Sequence, residues 1–216
     1  MPAPAKLQRA SAQRRRAALL AAAAELAAET GAGAVTHRAV AQRAGLPLST
    51  TSYFFSSIDE LVTEALRTHA AGLAEGIEVT QRVVVDSPAV DADDVIAAVV
   101  EHALAADTVA MGGQVELYLA AGRREDLRSD AVATVEGRVD GAARQFDRMG
   151  AARVDDVSWM ATAMVDGAML HRLAGVDDDH RARLTAGLRV LVAAAMLRDE
   201  ELDELLARYP GCTERP

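Results

Sequence analysis

Along most of the chain apolar residues recur at i, i+3, i+4 and i+7, and no stretch alternates apolar and polar residues as a half-buried strand would. That pattern predicts an all-α protein. Val83-Val84-Val85 is the best strand candidate, and it merely closes a helical stretch. A first helix is expected from about Ser11 to Glu29, with Leu19, Leu20, Ala23, Leu26 and Ala27 on one stripe, ended by Gly31 and Gly33. Thr36 suits the N-cap of a short second helix reaching Arg43. Ala44-Gly45-Leu46 then makes a tight turn, and Pro47 suits the first position of a third helix ending near Phe54. Ser57-Ile58-Asp59-Glu60 reads as a capping box opening a long fourth helix to about Arg82, and Asp86-Ser87-Pro88 with Asp91 breaks the chain. Further helices are expected at about 92–108, 113–123, 125–148, 155–174, 178–197 and 199–208, with breaks near Gly112-Gly113, Gly150 and Gly175.

Composition narrows the class. Half of the 216 residues are apolar but only 3% are aromatic, so the core must be built from Ala, Val, Leu and Met. The single cysteine, Cys212, allows neither an intrachain disulfide nor a cysteine metal cluster, which fits a reducing compartment. Arg14-Arg15-Arg16 before an Ala/Leu stretch superficially resembles a signal peptide. Glu25 and Glu29 interrupt that stretch, and no run approaches the ~18 apolar residues of a membrane helix, so a cytoplasmic protein without a membrane partner is expected. The net charge of −9 is unevenly spread. Seven basic residues against two acidic ones leave +5 over residues 1–54, so the remainder carries −14. A basic end on an acidic body suits contact with phosphate, although a solvated surface would look the same.

A helix, a glycine-containing turn and a second short helix have the spacing of a helix-turn-helix, in which one helix braces on the DNA backbone while the other enters the major groove. Val35, Val40, Ala41, Ala44, Leu46 and Phe55 can form the small core that fixes their angle, with Thr51 turned inward. The run from Thr36 through Leu61 carries an Ala-x-x-Ala-Gly turn, a short helix ending in Tyr-x-Phe and a Ser-x-x-Glu-Leu start to the next helix. It resembles the N-terminal domain of the TetR family of transcriptional regulators over about residues 12–65. Two departures are Ser52, where many members carry a second aromatic, and Ile58, where many carry a phosphate-holding lysine; fewer backbone contacts follow. The resemblance implies a flexible arm over 1–10, a helix-turn-helix domain over 11–56, a helical effector-binding and dimerisation domain over 57–208 and a flexible tail over 209–216. Together with helix-terminus electrostatics it assigns Thr36, His37 and Arg38 to phosphate at the start of the second helix, Arg38 also to a guanine edge, and Leu48, Ser49, Thr50, Ser52 and Tyr53 to bases or adjacent phosphates. Thr50 and Tyr53 could instead cap or fill the core, and Arg14 to Arg16 could touch flanking backbone or only water.

The resemblance further implies a homodimer on a palindromic double-stranded operator, released by a small-molecule effector. A two-turn reading helix contacts too few bases alone, so two copies about one DNA turn apart are needed. The helices at about 155–174 and 178–197 carry apolar stripes that could meet a symmetry mate or simply be internal core. Met111, Gln114, Tyr118, Trp159, Met164 and His171 are the bulky or polarisable residues an effector could touch, though each is more often a core side chain, and the scarcity of aromatics favours an aliphatic effector. No cofactor, metal site or enzymatic activity is expected. The five histidines lack metal-ligand spacing, and no nucleophile elbow, phosphate loop or dinucleotide fingerprint occurs. The alternative is a helical sensor whose DNA binding has weakened or been lost.

Overall fold

The computed structural model describes residues 4–85, 91–177 and 179–209, with side chains at 8–72 and from 91 onward in these ranges. The described residues form ten α-helices and no strand: α1 Pro4–Thr30, α2 His37–Arg43, α3 Leu48–Phe54, α4 Ile58–Val85, α5 Ala92–Ala105, α6 Thr108–Arg123, α7 Arg128–Arg148, α8 Val154–Leu173, α9 His180–Ala195 and α10 Asp199–Ala207. Val83 to Val85 belong to the last turn of α4. The expected break at Asp86-Ser87-Pro88 lies outside the described residues, as do residues 1–3, Asp178, Cys212 and the rest of the tail from 210. No single helix among the described residues is long and apolar enough to cross a membrane. Helix α1 begins seven residues before the expected Ser11, because the small and polar residues preceding Ser11 contain no breaker after Pro4, which itself suits a helix start.

The chain divides into two compact units, residues 1–75 with 106–134, and residues 76–105 with 135–216. In the first unit Leu19, Leu20, Ala23 and Ala27 of α1, Val35, Val40, Phe55, Leu61, Val62 and Leu66 share one core with Leu117, Ala120 and Ala121 of α6. The large members of that core, Leu19, Leu61, Leu66 and Leu117, are essentially inaccessible to water. Each contributes about 1.5–3 kcal/mol of burial, far more than helix propensity can supply, so packing fixes where α1 and α4 lie. The alanines let α1 approach closely. Ala44 to Leu46 make the helix-turn-helix turn, and Gly45 takes φ +63°, a left-handed conformation that side chains beyond Cα disfavour.

A break predicted at Gly112-Gly113 does not occur: α6 runs through both glycines, and the chain turns earlier, where Asp107 caps α6 through Ala110 N–H at 2.8 Å. The two glycines serve close contact instead. A Cβ on Gly112 would stand 2.9 Å from the Ala28 carbonyl oxygen of α1, and one on Gly113 would stand 2.5 Å from Nε2 of His69 on α4. That His69 nitrogen donates to the Ala110 carbonyl at 3.2 Å, which pins the ring against the first turn of α6.

In the second unit Ile96, Val100 and Ala103 of α5, Phe146 of α7, Val157 and Ala161 of α8, and Leu184, Leu188, Leu191 and Ala195 of α9 form a separate core. Gly150 and Gly175 end α7 and α8 as expected, both at φ +76°. The α8 and α9 stripes singled out in the sequence are therefore largely internal core, because α5 packs into the groove between those two helices.

Two stability tests follow from the glycine contact. Gly113→Ala should destabilise the protein by about 1–3 kcal/mol in urea titration through overpacking against His69. Gly122→Ala on the same helix meets open space and should add about 0.5–1 kcal/mol. Burial holds His69 below the usual histidine range, only partly offset by its bond to Ala110, and burial then Arg138 do the same to His102. A lowered folded-state value means the unfolded chain protonates first. Stability should therefore be flat above about pH 7 and fall as pH drops through about 6.5, the unfolded histidine value. His69→Gln should remove part of that slope, and the remainder should follow His102→Gln.

Candidate nucleic-acid interface

Thr36 is the N-cap of α2, its hydroxyl oxygen accepting from Ala39 N–H at 3.2 Å. This places Thr36, His37 and Arg38 on the first turn of α2, which bears no acidic residue, so its free N–H groups attract phosphate. Arg38 is exposed, whereas His37 is half-buried and its Nδ1 is buried without a hydrogen-bond partner. On α3 the alternation is decisive. Thr51 is fully buried and its hydroxyl donates to the Leu48 carbonyl at 2.8 Å, and Phe55 fills the core just beyond the helix end. Leu48, Ser49, Ser52 and Tyr53 face water, with Leu48 53% and Tyr53 78% exposed, and Thr50 is half-buried. A two-turn helix that buries its polar threonine and turns a leucine and a tyrosine outward presents a contact face. The Tyr53 ring is held edge-on by Phe54 at 4.8 Å between centroids.

The basic residues sort into two groups. Arg43 donates to Glu25 at 3.1 Å and to Glu29 at 2.9 and 2.6 Å, and these bonds hold the Glu29 carboxyl below the usual range. Arg16 pairs with Glu64 and lies over the Phe55 ring, 5.2 Å from its centroid. Both are spent on bracing the helices. Arg9, Arg14, Arg15 and Arg38 stay exposed. The capping box at α4 forms with one change: Ser57 Oγ accepts from Glu60 N–H at 3.0 Å, but the Glu60 carboxylate reaches back to Ser56, taking its N–H at 2.7 Å and its hydroxyl at 2.5 Å. Those two bonds lower the Glu60 pKa. A cleft of about 540 Å³ opens in the same unit between Ala32, Gly33 and Val35, the Ile58 end of α4, Ala120 and Arg123 of α6 and Arg124 just beyond it.

The six effector candidates fall in different settings. Met111 is 2% exposed and Gln114 is buried on α6, where Gln114 Nε2 donates to the Tyr118 hydroxyl at 3.1 Å. On α8 Met164 packs toward α9, its sulfur 2.8 Å from where a Cβ on Gly187 would lie, while Trp159 is 63% exposed and His171 is exposed. Trp159 and His171 thus lie on the surface of their unit rather than in its interior, because the inner face of α8 is taken by Val157, Ser158, Ala161 and Thr162. Two features escaped the sequence. The Arg138–Asp166 ion pair joins α7 to α8 with the Arg138 side chain nearly covered. Gln145, 7% exposed, leaves both its carboxamide nitrogen and oxygen buried without a partner. The only available signal was a glutamine on the same α7 face as Arg138, seven residues away.

An outward-facing second helix in a helix-turn-helix, set beside a basic first helix and braced by a long fourth helix, defines a DNA-binding regulator. Residues 19–65 match the family model for bacterial regulatory proteins of the tetR family, and residues 87–196 match a tetracyclin repressor-like C-terminal domain. The chain belongs to the TetR family. Among solved structures it is similar to SCO1917 of Streptomyces coelicolor A3, a TetR-family member, at 27% identity over 82% of this chain and 97% of that one (TM-score 0.64). It is also similar to the multidrug binding protein EbrR complexed with proflavin, at 28% identity over 82% and 99% (TM-score 0.58). A transcriptional regulator from Rhodococcus sp. shares the fold at 21% identity over 84% and 95% (TM-score 0.66). No curated protein matches the chain.

Removing the α2 cap should be measurable without DNA: Thr36→Ala should cost about 0.5–2 kcal/mol of unfolding free energy, and Thr36→Ser should restore most of it.

Proposed function

We propose that this TetR-family protein is a cytoplasmic repressor that binds a palindromic operator as a homodimer and is released by a small-molecule effector held in its C-terminal helices. The outward face of α3, with Leu48, Ser49, Ser52 and Tyr53 exposed around the buried Thr51, carries the DNA half of the reading. Arg38 and the first-turn N–H groups of α2 would engage phosphate, with Arg38 within range of a guanine edge. Thr50 and His37, being half-buried, would position neighbours more than contact bases.

The dimer reading is supported by a second apolar face. Trp159, Met160, Ala163 and Leu170 lie along the outside of α8, and Ala186, Val190 (72% exposed) and Ala193 along the outside of α9. Both sets follow helical spacing, and a soluble chain rarely leaves such a stripe bare. A symmetry mate packing α8 and α9 into a four-helix bundle would cover it. The effector reading draws on EbrR, solved with proflavin and with ethidium. The second unit of this chain buries only one aromatic among its described residues, Phe146, which favours an aliphatic effector over a stacked planar one. Differential affinity for two arrangements of the dimer would then shift the separation of the two reading helices.

Anisotropy titration of the duplex upstream of the protein's own gene, at several salt concentrations, tests the DNA half. Arg38→Ala should weaken binding and reduce the salt slope by about one, and Arg43→Ala should leave the slope unchanged because Arg43 is already paired with Glu25 and Glu29. Binding no tighter than to random DNA would instead favour the sensor without a working reading head. Trp159→Asp combined with Val190→Asp should convert the dimer to monomer in sedimentation velocity and, with it, abolish specific binding.

A further inference from the structure

Gln145 is an anomaly of a particular kind. Its carboxamide is more than nine-tenths buried, and neither Nε2 nor Oε1 has a hydrogen-bond partner within the protein, so two donors and an acceptor are left for something other than this chain to satisfy. A methionine or leucine would fill the position without that penalty. Such a group calls for an explanation, and broken local rules of this kind gather at functional sites.

Its surroundings define what that something is. Gln145 lies two turns along α7 from Arg138, on the same face, and the Arg138–Asp166 pair ties α7 to α8. The short connection at 149–153 makes the two helices antiparallel neighbours. On α8 Ser158 is fully buried. The Ser158 hydroxyl donates to the Val154 carbonyl and that of Thr162 to the Ser158 carbonyl, leaving both oxygens able to accept. Two turns away Arg138 and Asp166 answer each other, and an unpaired ion brought into the apolar core beside Gln145 would be costly to desolvate. Among the described residues the rest of the unit's core includes Ile96, Val100, Val157, Ala161 and leucines, with Phe146 the single buried aromatic.

Building on the reading of these helices as the effector-binding part, we infer that Gln145 is the polar anchor for the effector, and that the effector is a neutral, largely aliphatic molecule carrying a donor and an acceptor on one edge, as a cis-amide or lactam does. A lactam N–H and C=O lie side by side, so they pair with the Gln145 oxygen and nitrogen in two parallel hydrogen bonds. A trans secondary amide points them apart, and a ketone or ester lacks the donor.

Isothermal titration of the full-length protein with ε-caprolactam, N-methylcaprolactam and cycloheptanone tests this. Wild type should bind caprolactam saturably and at least tenfold tighter than either analogue, because a site built to hydrogen-bond a donor rejects a ligand without it. Gln145→Met should lose at least tenfold in caprolactam affinity, bind cycloheptanone within about twofold of wild type, and melt several degrees higher when free. No saturable binding, a lactam bound no tighter than the ketone, or equal lactam binding by Gln145→Met would overturn the assignment. So would a lower melting temperature for Gln145→Met, which would show that the carboxamide is held by the fold or by water. The comparison of ligands on wild type stands even if the variant fails to fold. None of these outcomes touches operator binding, whose failure would be read separately in the Arg38 titration.

Discussion

The reading head depends on how closely α6 lets other helices approach. Gly112 and Gly113 give α6 a bare surface, on which the backbone of Ala28 and the imidazole of His69 both sit at distances no side chain would permit. Through those contacts α1 and the middle of α4 are fixed, and through their shared core so are Val35, Val40 and Phe55, which set the angle of the helix-turn-helix. An apolar core alone is tolerant of sliding. Close backbone contact is not, and an overpacked interior responds as a unit.

Electrostatics divides the same unit by role. Arg16 and Arg43 lie in the basic N-terminal quarter and would count toward DNA in any tally of charge, yet each is consumed by carboxylates on neighbouring helices. The basic residues left exposed are fewer: Arg38 beside the α2 terminus, and Arg9, Arg14 and Arg15 along α1.

Much of this was legible in the sequence, for identifiable reasons. Helical periodicity and caps located nearly every helix, since Thr36, Ser57, Gly45, Gly150 and Gly175 act through bonds to residues at most five positions away. The family resemblance rested on a contiguous motif. Local rules failed where the cause was distant in the chain. Gly112-Gly113 resembles a breaker unless Ala28 and His69 are known to lie against it. The stripes on α8 and α9 could face a partner or a core, and only the position of α5 decides between them. Gln145 gave no local signal, because being buried and unpartnered is a property of its neighbours.

The most direct measurement is a hydroxyl-radical footprint of the full-length protein on the DNA upstream of its own gene. Two reading helices carried by a symmetric dimer predict two protected major-groove patches about one helical turn or a small multiple apart, related by a dyad in the sequence. A single asymmetric patch, or uniform protection without a dyad, would contradict the account.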